Sequence, residues 1–170
     1  LLPIFGAFSQ GWRGVDMSFL SEMEGDGVVY RDESGVDIDA PREWMAEQGV
    51  NLVRLRVWHN PYPNLRNSWL GVMREAAKWD SLDVPILLDY HFSDTWADPG
   101  HQVIPEAWEG MTFEELEDAM TCWLHCTLEA LNVKGIEPAM VQLGNEVDPG
   151  MMFPHGSIEN GFGSLSQLLN

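Results

Sequence analysis

In the stretch from Val141 to Pro149, VQLGNEVDP, an apolar run stops on an amide and a carboxylic acid side by side, Asn145 and Glu146. A carboxyl group at a strand end inside a cleft is desolvated, which raises its proton affinity, and a neighbouring amide can hold a substrate hydroxyl. That is the equipment of a general acid in glycoside hydrolysis, with Asn145 aimed at the hydroxyl next to the reacting carbon. Three other apolar runs end comparably: Asp16 and Ser18 close the first, Arg54, Arg56 and Trp58 the second, Asp89 and His91 the third. Isolated buried charge is costly, so four such endings predict either a salt-bridge network closing a rim, for instance Arg54 with Asp89 or Glu146, or a site. For the set as a whole, a site is the expectation. Asp89, His91 and Asp94 are metal-ligand types, but their spacing matches no metal motif, and no metal is expected.

Eight tryptophans are present, and Trp12, Trp58, Trp96 and Trp108 lie at the edges of apolar runs or in loops. Indole faces there suit the apolar C–H surfaces of sugar rings. Taken singly each reads as a large core residue, and only convergence of several on one place would favour sugar binding.

The elements that must position these groups follow from periodicity. Branched apolar runs predict strands at 14–17, 52–57, 84–90 and 139–144. Between them, 41–48 has Pro41 at a first helical position and Gly49 after its end, and 69–79 puts Leu70, Met73 and Ala77 on one face. Thr112 and Glu115 form a capping box ahead of a stripe of Phe113, Leu116, Met120, Trp123, Leu124 and Leu131. The segment 158–170 approaches a fourth helix. Strand and helix alternate, which argues for parallel strands covered by helices. Strand starts lie about 30 to 55 residues apart, with long connections after each strand and short turns before the next. No Gly-rich phosphate loop follows any strand, so a doubly wound nucleotide-binding sheet loses to an α/β (β/α)8 TIM barrel. Such a barrel takes roughly 250 residues. Four units in 170 residues therefore predict that 1–170 is the N-terminal half of one catalytic domain, stopping near the fourth helix.

Composition narrows the partners. A hydrophobic fraction of 45% supports a real core, and 27 acidic against 9 basic residues give a net charge of −18. That field repels phosphate backbones and anionic lipid, so neither nucleic acid nor a membrane is an expected partner. No apolar run approaches the roughly 20 residues of a membrane helix, and residues 1–8 lack the charged start of a signal peptide. The acidic balance suits a secreted or periplasmic polysaccharide enzyme. Cys122 and Cys126, four apart on a helix, are expected as reduced, packed thiols.

The blocks GVDMSFLSEME at 14–24, GVNLVRLRVWHNP at 49–61, LDYHFSDTWADPG at 88–100 and VQLGNE at 141–146, with GMMFP at 150–154, span nearly the whole chain. Together they resemble the arabinogalactan endo-beta-1,4-galactanases of glycoside hydrolase family 53, in the clan of retaining barrel enzymes. The resemblance implies endo-acting hydrolysis of β-1,4-galactan with net retention, no cofactor, and a monomeric parent enzyme acting on galactan or arabinogalactan. Glu146 matches the family's acid/base and Asn145 its companion. Arg54, His91, Trp96 and Asp98 fall on positions that look like the sugar-contacting rim, with Arg56 and Trp58 beside them. The fourth loop departs from the family: Asp148 and Pro149 precede the glycine, and Phe153 stands where the family carries Trp. The family's nucleophile, a second glutamate ending the seventh strand, and the calcium site of some members both belong to the other half.

Retention needs two carboxyl groups about 5 to 5.5 Å apart, so Glu146 supplies half, and nothing in the spacing of Asp89, Asp94 or Asp98 recommends a substitute. The chain alone is expected to be inactive. Two alternatives stand: a non-catalytic carbohydrate-binding or assembly half barrel, and another retaining barrel glycosidase such as a mannanase or cellulase.

Overall fold

A computed structural model describes residues 11–63 and 65–170. Residues 1–8, read above for a signal sequence, lie outside them. Four parallel strands, Gly14–Asp16, Leu52–Val57, Ile86–Tyr90 and Met140–Leu143, pair in chain order into one sheet. The third begins two residues later than expected. Pro85, with no N–H to give a ladder, only accepts, its carbonyl taking the Val53 N–H at 2.9 Å.

The two-residue period divides the sheet into an oily and a chemical face. Val53, Leu55 and Val57 with Ile86, Leu88 and Tyr90 are buried and join the main core. The opposite face follows from the register: Asp16 pairs with Arg54, and Arg56 with Asp89, which pairs with Gln142. The polar strand residues of the sequence are thus neighbours across the sheet.

Helices Pro41–Glu47, Trp69–Asp80, Phe113–Asn132 and Gly163–Leu168 complete the four strand–helix units, within one or two residues of expectation where bounds were predicted. Pro41 occupies the first turn, and the Ser68 side chain caps the second of these helices by accepting from Gly71 N–H. The capping box of the third is formed: Thr112 Oγ1 accepts from Glu115 N–H at 3.3 Å, and Glu115 Oε2 accepts from Thr112 N–H at 2.8 Å. Its buried stripe runs through Leu116, Met120, Thr127 and Leu131, and Thr127 Oγ1 meets Tyr90 Oη at 2.9 Å.

One expectation for that helix fails. Cys122 and Cys126 are free, with sulfurs 3.8 Å apart, but both are exposed rather than packed. At 3.6 residues per turn they lie well round the helix from the buried stripe.

An additional short helix, Leu20–Gly25, and two-residue antiparallel ladders, Tyr30–Arg31 with Asp37–Ile38 and Gly150–Met151 with Gly156–Ser157, occupy the first and fourth connections. Charge ties this short helix to the outer ring. Buried Arg42 donates to Glu24 at 2.7 and 2.9 Å and to both carboxylate oxygens of buried Glu75, which also accepts from Trp79 Nε1 at 3.1 Å.

Candidate active site

Arg54 is the hub of the polar face. Its guanidinium reaches Asp16 at 2.6 Å, Asp89 at 2.6 Å, Asn145 Oδ1 at 2.8 Å and Gln142 Oε1 at 3.3 Å. Of the two rim partners the sequence left open, Arg54 therefore takes Asp89. Asp89 is fully buried, and the oxygen that receives Arg54 also receives His91 Nε2 at 2.9 Å. His91 Nδ1 faces two donors, Ala97 N–H at 2.9 Å and Trp58 Nε1–H at 3.3 Å. A nitrogen facing two N–H groups must offer its lone pair, so the ring carries its proton on Nε2, directed at Asp89.

Burial pushes the Asp16 carboxyl up, but hydrogen bonds from Ser18 and Arg54 and the charge of Arg56 outweigh it and hold it below the usual carboxylate range. Arg56 is itself buried between rings, its guanidinium carbon 4.0 Å from the Trp96 centroid, 4.6 Å from Phe19 and 5.8 Å from Trp58. Burial lowers its pKa, against the raising influence of Asp16 and Asp89. These stacked contacts fix the half-exposed Trp96, whose edge also meets the His91 ring at 5.6 Å. Trp58 and Trp96 both meet Arg56 and His91, but Trp58 is buried and only Trp96 reaches the surface. Trp108 packs instead against His59, 4.6 Å between centroids.

The fourth strand ends in a tight turn. Gly144 has φ +83°, and a Cβ there would sit 2.5 Å from Val147 Cγ1, so any other residue would strain the backbone and push Val147 aside. Glu146 adopts φ +49°, an unusual setting for a non-glycine residue that recurs at functional sites. Between them buried Asn145 is held at both ends of its amide: Oδ1 accepts from Arg54, and Nδ2 donates to Ala97 O at 2.7 Å. Through Ala97, whose N–H reaches His91, the amide connects to the imidazole.

The Glu146 carboxylate corrects an expectation. Predicted to lie in a desolvating cleft, it is exposed and has no side-chain hydrogen bond among the described residues. The fourth strand is at the edge of the sheet, so the third strand and its loop pack against the turn from one side only.

The remaining acids are occupied. Asp98 accepts from Gly100 N–H at 2.7 Å and His101 Nδ1 at 2.9 Å; the His101 hydrogen bond holds it below its usual pKa, and its own turn uses it rather than the Arg54 network. Asp94 staples two loops, accepting from Asn60 N–H at 2.8 Å and Glu106 N–H at 2.9 Å. Among the described residues no group of three or more His, Cys, Asp or Glu is placed to hold a metal ion.

Two participants escaped the sequence reading. Gln142, which also donates to Gly144 O at 2.8 Å, shares the alternation of the polar face and was within reach of that argument. Gln102, buried in the third loop, donates to Asn145 O at 2.8 Å and Glu146 O at 3.3 Å, and no periodicity announces it.

Charged and aromatic groups gather beyond the carboxyl ends of the parallel strands, the face on which barrel enzymes carry their chemistry. The chain belongs to Glycosyl hydrolase family 53, whose sequence profile matches residues 12–170. It is 38% identical over 136 residues to the arabinogalactan endo-beta-1,4-galactanase of Cellvibrio japonicus, covering 79% of this chain and 36% of that protein. It is similar in structure to the family 53 catalytic domain of Ignisphaera aggregans, with TM-score 0.83 and 35% identity, over 92% of this chain and 45% of that one. A fungal beta-1,4-galactanase superposes with TM-score 0.85 at 32% identity, over 93% of this chain and 46% of the other. The fold is accordingly part of a TIM barrel, and the chain spans about a third to a half of the length of the curated relatives it matches. Among the described residues no helix is long and apolar enough to cross a membrane.

Proposed function

We propose that this chain supplies the acid/base half of an active site that cleaves β-1,4-galactosidic bonds within galactan or arabinogalactan, by double displacement with retention. Glu146 protonates the departing glycosidic oxygen and later deprotonates water. The nucleophile comes from the part of the relatives' length that this chain does not span, and Arg54, already aligned by Asp16 and Asp89, orients it. Trp96 and Asp98 face the sugar side; His91 and Trp58, which the resemblance put on the rim, are buried and act behind them with Arg56, holding Trp96 and Asp89 in place. Bound sugar and the completing half of the barrel cover the exposed side of Glu146.

The observation that carries this reading is the grip on Asn145. Arg54 takes its oxygen and Ala97 one N–H, which leaves the second N–H of the same amide for a sugar hydroxyl beside Glu146. The working protein is a monomer that acts outside the cytoplasm on a polymer.

Reducing-end release from galactan, mannan and cellulose tests the substrate class. The complete barrel protein is expected to act on galactan, and a preference for mannan or cellulose would overturn the assignment. The 170-residue chain alone is expected to show no turnover. Substantial hydrolysis by it would mean that a second catalytic carboxylate lies within this sequence.

A further inference from the structure

Gln102 makes an unusual pair of contacts: one amide nitrogen, Nε2, donates to two consecutive main-chain carbonyls, Asn145 O at 2.8 Å and Glu146 O at 3.3 Å. Those carbonyls belong to the two peptide planes that flank the Glu146 Cα. Fixing both planes fixes φ and ψ at Glu146, and with them the direction of its Cα–Cβ bond. The residue so held is in the left-handed region, φ +49°, where an unconstrained glutamate would not stay. Its own side chain makes no hydrogen bond among the described residues, so its aim is set by the main chain.

Gln102 also holds the far limb of the same loop. Its carbonyl accepts from Phe153 N–H at 2.7 Å, and Val103 forms a bridge with Phe153. One buried residue of the third loop therefore clamps both ends of the fourth, including the stretch of Asp148, Pro149 and Phe153 that departs from the family pattern.

We propose that Gln102 is the positioning residue that aims the Glu146 carboxyl at the glycosidic oxygen; this rests on the acid/base reading of Glu146. Misplacing a catalytic group by about 1 Å can cost roughly 100-fold in rate. The test compares two substrates in the complete barrel protein: galactan, whose leaving sugar must be protonated, and a dinitrophenyl β-galactobioside, whose leaving group departs without a proton. For Gln102→Met, of similar size with no donor, kcat/KM on galactan is expected to fall roughly 100-fold while the aryl substrate is nearly unaffected. Gln102→Glu, which keeps the shape but sets an acceptor against two acceptors, is expected to show the same split, and it serves if the methionine variant does not fold.

Equal losses on both substrates would reduce Gln102 to a structural residue, and unchanged galactan hydrolysis in a folded variant would remove its role. Glu146→Gln separates the two claims. If it abolishes galactan hydrolysis while Gln102→Met does not slow it, only the positioning role fails. If Glu146→Gln is itself fully active, the acid/base reading fails and the positioning role with it.

Discussion

Glu146→Gln in the complete barrel protein is expected to slow galactan hydrolysis by about 10²- to 10⁴-fold, the range that a positioned acid/base group contributes. The amide matches the carboxyl in shape but has no proton to give to the leaving oxygen. Because Glu146 is exposed and its carboxylate makes no hydrogen bond among the described residues, its loss should leave stability within about 0.5 kcal/mol of the parent. A folded, slow enzyme is the expected result, read by reducing-end release alongside a thermal melt. Rates equal to the parent would strip Glu146 of its role.

The second large effect concerns stability. Glu75→Ala is expected to cost about 3 kcal/mol, because it takes the inner carboxylate from Arg42, a buried guanidinium left with Glu24 alone, and removes the acceptor of Trp79 Nε1–H. For a chain of this size that lowers Tm by something on the order of 10 °C. Replacing the pair together, Glu75→Leu with Arg42→Met, should recover much of the loss, since no buried charge then remains unpaired and Glu24, nearer the surface, can hydrate.

The pH dependence has a definite sign. Burial pushes the Glu75 carboxyl up, but hydrogen bonds from Arg42 and Ser21 and the charges of Arg42 and Lys78 hold it below its ordinary value of 4.5. As pH falls through that value the unfolded chain takes the proton first, so the contribution is full above about pH 5 and is lost as pH drops through the folded pKa. Melting temperatures from pH 7 down to pH 3 should fall more steeply for the parent than for the double variant; identical slopes would show that this pair does not carry the acid sensitivity.

What the sequence disclosed and what it hid divide along physical lines. Leu52–Val57 and Ile86–Tyr90 were readable because short segments rich in branched apolar residues mark strands, and the capping box at Thr112 was readable because its chemistry is local. The polar face was readable from alternation: Arg54, Arg56 and Asp89 share it by the same two-residue period that buries Val53, Leu55 and Leu88. Which acid Arg54 would take depended on distances across strands, and so stayed open. The helix Leu20–Gly25 and the two-residue ladders are too short to print a period. Gln102 acts between two loops, where neither end of the contact has a pattern to betray it. The exposure of Glu146 followed from the edge position of the fourth strand, a property of the assembled sheet that no strand reveals by itself.

The most direct measurement of the central claim uses a Glu146→Ala variant of the complete barrel protein, an aryl β-galactobioside with an acidic leaving group, and sodium azide. With the general base removed, water attacks the covalent galactosyl-enzyme slowly, and a small anion in the space left by the carboxyl can attack without one. Azide is expected to accelerate turnover and to yield the β-configured galactosyl azide. An α-configured azide would make Glu146 the nucleophile instead, and no acceleration by azide would contradict its place beside the reacting carbon.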